Sequence, residues 1–191
     1  MKIKKINAAV GLIASLGIFI HVGYIAFAYL AFYNDPRLTI LTAMPFMICA
    51  CLHAILGMGI VFFSADGTRA DLYPKQNAET ILQRVSAILI LPLIILHLKT
   101  FGLLQSCAES GKTAPFILVL LSQPLFYATA FTHVAVSFSR ALITLGGIAS
   151  RERKKTVDRV VYILCAVLFA LATFAVLKAE IAMFLPSGGA A

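Results

Sequence analysis

The chain has 191 residues, of which 61% are hydrophobic and 13% charged, against about 45–50% and about 25% in ordinary soluble domains. A soluble domain of this length has too little interior to hide so much apolar surface, and the mean hydropathy of +0.95 agrees that lipid must solvate it. A soluble enzyme, a disordered chain and a disulfide-stapled secreted module are thereby excluded.

The basic excess, 16 Lys and Arg against 8 Asp and Glu, leaves a formal charge of +8. These residues stand in short segments between apolar runs, where they set orientation and can dock an acidic protein partner. No basic surface with interleaved aromatics exists to track a phosphate backbone, so nucleic acid is not an expected partner. Cys49, Cys51, Cys107 and Cys165 include no C-x-x-C pair. They cannot build a zinc or iron–sulfur site from such a run and are read as small apolar fillers.

Five apolar runs are long enough to cross a bilayer, which takes about 20 helical residues. The first, residues 6–33, follows Met-Lys-Ile-Lys-Lys and is too long for a signal-peptide core, so an uncleaved helix is expected. A tight turn at Asn34-Asp35-Pro36-Arg37 leads to the second, 38–63. A polar connector over 64–80, with Gly67 and Pro74, precedes the third span, 81–104, which carries Arg84 and Lys99 near its ends. A second connector over 105–114 leads to the fourth span, 115–143, and a basic loop over 150–159 to the fifth, 160–185. The tail 186–191 is expected to lack structure. Lys2, Lys4, Lys5, Arg69, Lys75 and the basic residues of 150–159 fall on one side, with only Arg37 and Lys112 in the loops of the other. The positive-inside bias therefore predicts a cytoplasmic N-terminus and an external C-terminus.

The chain's four histidines, His21, His53, His97 and His133, all fall inside spans, one on each of the first four. Ionisable groups in lipid are costly and mark function more often than packing. Counted from the cytoplasmic ends at about 1.5 Å per residue, His21 and His97 lie roughly 20 Å deep, and His53 and His133 roughly 10–15 Å. Two histidines at one height on different helices can grip a planar metallocycle from both faces, so two levels predict two stacked bis-histidine haems within one bundle. Zinc would need three or four ligands at a single level. Without C-x-x-C-H, the haems would be non-covalent b-type. Gly17, Gly57 and Ser137 stand one turn from ligands and would let a porphyrin approach the backbone; the same residues also serve ordinary helix packing. Arg84 and Arg140 near the inner pair, and Lys99 and Arg37 toward the outer end, are candidate propionate partners, or else interfacial anchors.

One histidine on each of the first four helices and none on the fifth resembles the dihaem cytochrome b anchor of the succinate dehydrogenase and fumarate reductase family. The segment Gln83-Arg84-Val85-Ser86-Ala87, followed by His97, is similar to that family's Arg-x-Ser-Gly segment, with Ala87 in place of the glycine. The fourth helix lacks the acidic residue beside its histidine that some quinol-oxidising members carry. The resemblance implies an all-α integral membrane protein, a single five-helix domain in the bacterial cytoplasmic membrane, with first-to-third and second-to-fourth histidine pairing. It implies a flavoprotein and an iron–sulfur protein as cytoplasmic partners, and a quinone, expected as menaquinone, as the lipid-borne carrier. Dicarboxylate chemistry would then belong to the partners, because the chain has no dinucleotide fingerprint or cluster ligands of its own.

A stacked pair of redox centres is a wire, so the quinone is expected at its outer end. Tyr33, Asp35, Lys99, Glu109, Lys178 and Glu180 are the polar groups at that level, with Asp35 and Glu180 the preferred proton carriers. Competing readings are the cytochrome subunit of another membrane oxidoreductase (a hydrogenase, a formate dehydrogenase or a b561-like reductase) and a haem-free transporter with histidines in a proton path.

Overall fold

The computed structural model describes residues 2–33, 35–63 and 74–184. It contains five helices, α1 (Lys2–Ala31), α2 (Pro36–Phe63), α3 (Pro74–Glu109), α4 (Thr113–Leu145) and α5 (Arg151–Phe184). Each is long and apolar enough to cross a membrane. Asn34, most of the connector between α2 and α3, and the tail expected to lack structure lie outside the described residues.

The helices overrun the apolar runs that define them. The third helix begins seven residues before Ile81 and continues through Gln105 to Glu109, so half of the expected connector 105–114 belongs to it, and Thr113 and Ala114 already open α4. The basic segment 150–159 is likewise not a loop but the opening turns of α5. Charged residues favour helix well enough when the chain is already helical beyond them. Lys154 to Asp158 at 2.7 Å and Lys155 to Glu152 at 3.0 Å add i,i+4 and i,i+3 support. Proline opens both α2 and α3, where its missing N–H costs nothing.

Tight reversals join the helices. Gly111 and Gly146 adopt left-handed backbone at φ 65° and 85°, and the following N–H groups reach back to Cys107 and Leu142. This is the glycine-terminated helix end that satisfies otherwise orphaned carbonyls. After α1 the same role falls to Phe32 at φ 50°, with Tyr33 N–H bonded to the Ala28 carbonyl. Asp35 then caps α2, its carboxylate accepting the N–H groups of Arg37 at 2.8 Å and Leu38 at 3.4 Å.

Packing is antiparallel along α1/α2, α3/α4 and α4/α5, and α1 also lies against α4 and α5. The fourth helix is the hub, burying Phe116, Leu120, Gln123, Phe126, Tyr127, Phe131 and Val134 among its neighbours. The second helix sits at the periphery, with Leu41, Ile48, Ile55 and Met58 on its outer surface. Exposed aliphatic side chains such as Ile20, Ile88, Leu118 and Ile163 sheath the bundle, as a lipid-facing surface requires.

Candidate functional site

The antiparallel arrangement brings the histidines together in two pairs at two heights. The rings of His53 and His133 have centroids 6.2 Å apart at 67°. His21 and His97 lie close enough for their charges to interact. Each pair spans helices that share no extensive interface, α2 with α4 and α1 with α3. The rings of the inner pair therefore meet across a gap between helices. Among the described residues no group of three or more His, Cys, Asp and Glu converges at one point.

The second nitrogen of each ring identifies the free one. His53 Nδ1 is 3.0 Å from the Asn7 carbonyl, and His133 Nδ1 is 3.1 Å from the Gln83 carbonyl. A carbonyl only accepts, so both nitrogens carry a proton. His133 Nδ1 also meets Ser86 Oγ at 3.1 Å, while that hydroxyl donates to the Leu82 carbonyl at 2.7 Å. His21 Nδ1 meets Thr42 Oγ1 at 3.2 Å, and Thr42 donates to the Leu38 carbonyl at 2.9 Å. His97 Nδ1 lies 2.7 Å from Gln123 Oε1. With an acceptor at each Nδ1, the neutral form of each ring carries its proton on Nδ1 and its lone pair on Nε2. That is the tautomer an Nε2 metal ligand needs, held by the outer acceptor that metal-binding histidines ordinarily have.

The centroid separation of the inner pair, 6.2 Å, matches that of two imidazoles sharing one metal. A metal–imidazole nitrogen bond is about 2 Å, and with roughly 1 Å more to each ring centre, two rings sharing one metal would have centroids about 6 Å apart. Unsatisfied polar atoms gather at the same end of the bundle. Arg140 gives Nη2 to Thr80 at 2.7 Å, but its Nη1 is buried without a partner. Asn7 Oδ1 and Ser137 Oγ are buried and unpartnered as well. Buried polar groups are rarely left so, and a guanidinium nitrogen with a hydroxyl nearby along the same helix suits a carboxylate-bearing cofactor. Ser86, a cofactor-facing candidate of the Arg-x-Ser segment, is buried against the Nδ1 side of His133. Arg84 is half-buried at this end.

The glycines divide differently from expectation. A Cβ on Gly17 would collide with the Cβ of Phe46, so this residue admits α2 rather than a porphyrin. A Cβ on Gly57 would meet only Asn7 Nδ2, at 4.0 Å. Gly11, which the one-turn rule did not single out, is where a ligand ring presses on a backbone: a Cβ there would lie 2.8 Å from both Cε1 and Nδ1 of His53.

Around the outer pair, His97 stacks on Phe126 at 4.8 Å and meets Tyr127 edge-on at 5.9 Å, while His21 lies 5.2 Å from Phe46. Glu180 is 2% exposed and its Oε2 has no partner. Tyr29 and Tyr127 lie within electrostatic reach of it. Lys99, by contrast, is exposed, because two residues along a helix from His97 carries it round to the far side. It points away from His97 and does not join the outer pair. Tyr33 is exposed and the Asp35 carboxylate is occupied in capping α2, so neither joins Glu180. Lys178 rests over the Phe32 ring at 5.9 Å. At this end an open groove of about 710 Å³ runs between α3 and α5, lined by Phe101, Gln105, Ala108, Glu109, Met183 and Phe184.

The residues missed by sequence reasoning are the partners: Asn7, Thr42 and Gln123. Their signal was available in principle, since Gln123 is an amide deep in an apolar run, where polar side chains usually have a partner on another helix. No protein-family model, curated protein or solved structure matches the chain.

Proposed function

We propose that the chain is a dihaem cytochrome b that anchors a succinate dehydrogenase or fumarate reductase type of complex and carries electrons between its iron–sulfur subunit and membrane quinone. One observation carries the reading: His53 and His133 face each other with ring centroids 6.2 Å apart, His21 and His97 lie within electrostatic reach of each other, and the Nδ1 of each of the four rings is next to an acceptor. Haem bound by these histidines would supply one-electron transfer.

The chain's own residues would do the rest. His53 and His133 hold the inner group and His21 with His97 the outer one. Arg140, with Ser137 and Asn7 at the same end, would take the propionates of the inner group. Lys2, Lys4, Lys5 and the opening turns of α5 put positive charge at one end of the bundle. By the positive-inside bias that end faces the cytoplasm of a bacterial cell, where flavoprotein and iron–sulfur partners would dock. The opposite end then serves the lipid-soluble carrier. The groove between α3 and α5 has the aromatic walls and polar rim that a quinone ring requires, and its volume falls within the range of small-molecule sites. Glu180 does not line the groove but is buried one turn before Phe184, near Tyr29 and Tyr127, and with one oxygen unpartnered it would hold and pass a proton at that end of the bundle.

A reduced-minus-oxidised visible spectrum of the purified chain tests the reading. Paired b-type bands are expected; a pigment-free preparation would overturn it and favour histidines serving a proton-coupled transporter.

A further inference from the structure

Among the four ligand candidates His97 alone is held by a side-chain amide. Gln123 is 1% exposed. Its Nε2 lies 2.5 Å from Thr100 Oγ1 and 3.1 Å from Ser122 Oγ. Both hydroxyls have already committed their protons, Thr100 to the Leu96 carbonyl at 2.9 Å and Ser122 to the Val119 carbonyl at 2.6 Å. Each can therefore only accept from Gln123, which uses both of its N–H donors. A flipped amide would set its oxygen against two hydroxyl oxygens whose protons already point at helix carbonyls, acceptor against acceptor, so Oε1 faces His97, 2.7 Å away. An amide oxygen only accepts, and the His97 proton is forced onto Nδ1. A chain of three side chains, anchored on two helix carbonyls, thus decides the tautomer of one ring. The Phe126 ring stacked on His97 at 4.8 Å restrains its rotation.

We propose that Gln123 is the positioning residue of the outer site: through this donor chain it locks His97 with its Nε2 lone pair turned inward and sets how strongly that ring donates electrons. The second part rests on the bis-histidine haem reading. An acceptor behind Nδ1–H makes an imidazole more basic, which stabilises the oxidised metal and lowers its potential. The inner histidines take this support from main-chain carbonyls, which mutation cannot remove; at His97 it is a side chain and can be tested alone.

Redox titration of the haem-loaded full chain reads the effect. Gln123→Met keeps the shape and removes the acceptor, so the midpoint potential of one haem component should rise while the other stays at its native value. Gln123→Glu keeps an acceptor oxygen and should hold that component at or below the native value. A merely structural role predicts no component-specific shift, and unchanged potentials in Gln123→Met, or equal shifts in both components, overturn the inference. A purified chain without haem would defeat the cytochrome reading by itself. The 15N histidine spectrum of the same preparation then still decides the tautomer: Nδ1–H for His97 in the native chain, and the Nε2–H form usual for free imidazole in Gln123→Met. An Nε2–H ring in the native chain overturns the inference with or without haem.

Discussion

At the residue scale, the geometry separates side chains that act in pairs from those that act alone. His21→Ala and His97→Ala are expected to damage one redox component, and His53→Ala and His133→Ala the other. Spectral titration of the four variants checks this; loss of the same component in His21 and His53 variants would falsify the pairing. Gly11→Ala places a methyl group 2.8 Å from the Nδ1 edge of the His53 ring, the edge that the Asn7 carbonyl holds one turn earlier on α1. Overpacking of that kind costs about 1–3 kcal/mol. The inner component should therefore bind haem more weakly, measured as faster haem loss to an acceptor protein, while the outer one is unaffected. Glu180→Gln should slow quinone turnover and leave both haem spectra intact. Asp35→Asn, which keeps a helix-capping oxygen, should leave turnover unchanged. A normal rate in Glu180→Gln would move the proton route elsewhere.

At the scale of elements, the seam between α1 and α2 depends on small residues in the way membrane helices commonly do. Gly17 lets Phe46 approach so closely that any Cβ would strike its Cβ, an atom fixed to the backbone and unable to swing aside. Gly17→Ala should push the two helices apart and lower stability in detergent by about 1–3 kcal/mol, visible as a lower melting temperature. Because His21 is one turn from Gly17 and takes its acceptor, Thr42, from the neighbouring helix, the same change should disturb the outer component more than the inner. A thermal scan alongside the visible spectrum separates the two effects; an unaltered melting point would mean that the seam relaxes freely. The three prolines inside helices, Pro45, Pro92 and Pro124, lie on α2, α3 and α4, and each leaves a helix carbonyl without its intrahelical donor.

At the scale of the whole molecule, two histidine pairs predict a stoichiometry. Pyridine haemochrome assay of the purified chain should give about two haems per polypeptide, and a value of one would leave one pair as ordinary packing. Two centres one above the other also require the bundle to have a defined orientation, since each end meets a different partner. Residues of the opening turns of α5, such as Arg153 and Lys155, should be accessible from the cytoplasmic side in single-cysteine labelling of intact and permeabilised cells. Labelling of both positions without permeabilisation, by a reagent that does not cross the membrane, would reverse the orientation.

The sequence alone determined how many helices there are and the heights of the histidines on them. Hydropathy and a rise of 1.5 Å per residue are local properties of a chain, so His53 and His133 could be put at one level before any packing was known. Rotation about each helix axis is a different matter. The first two helices are apolar on nearly every side, and a helix with no polar face gives no hint of which face turns inward. Only the packed bundle could decide that Gly11 rather than Gly17 bears against a ligand ring, that Lys99 points outward, and that Asp35 spends its carboxylate on a helix cap. The acceptors of His21, His53 and His97 lie on neighbouring helices, Thr42 at 21 residues' separation, Asn7 at 46 and Gln123 at 26. Such partners are selected by azimuth and register between helices, which no single run of sequence contains.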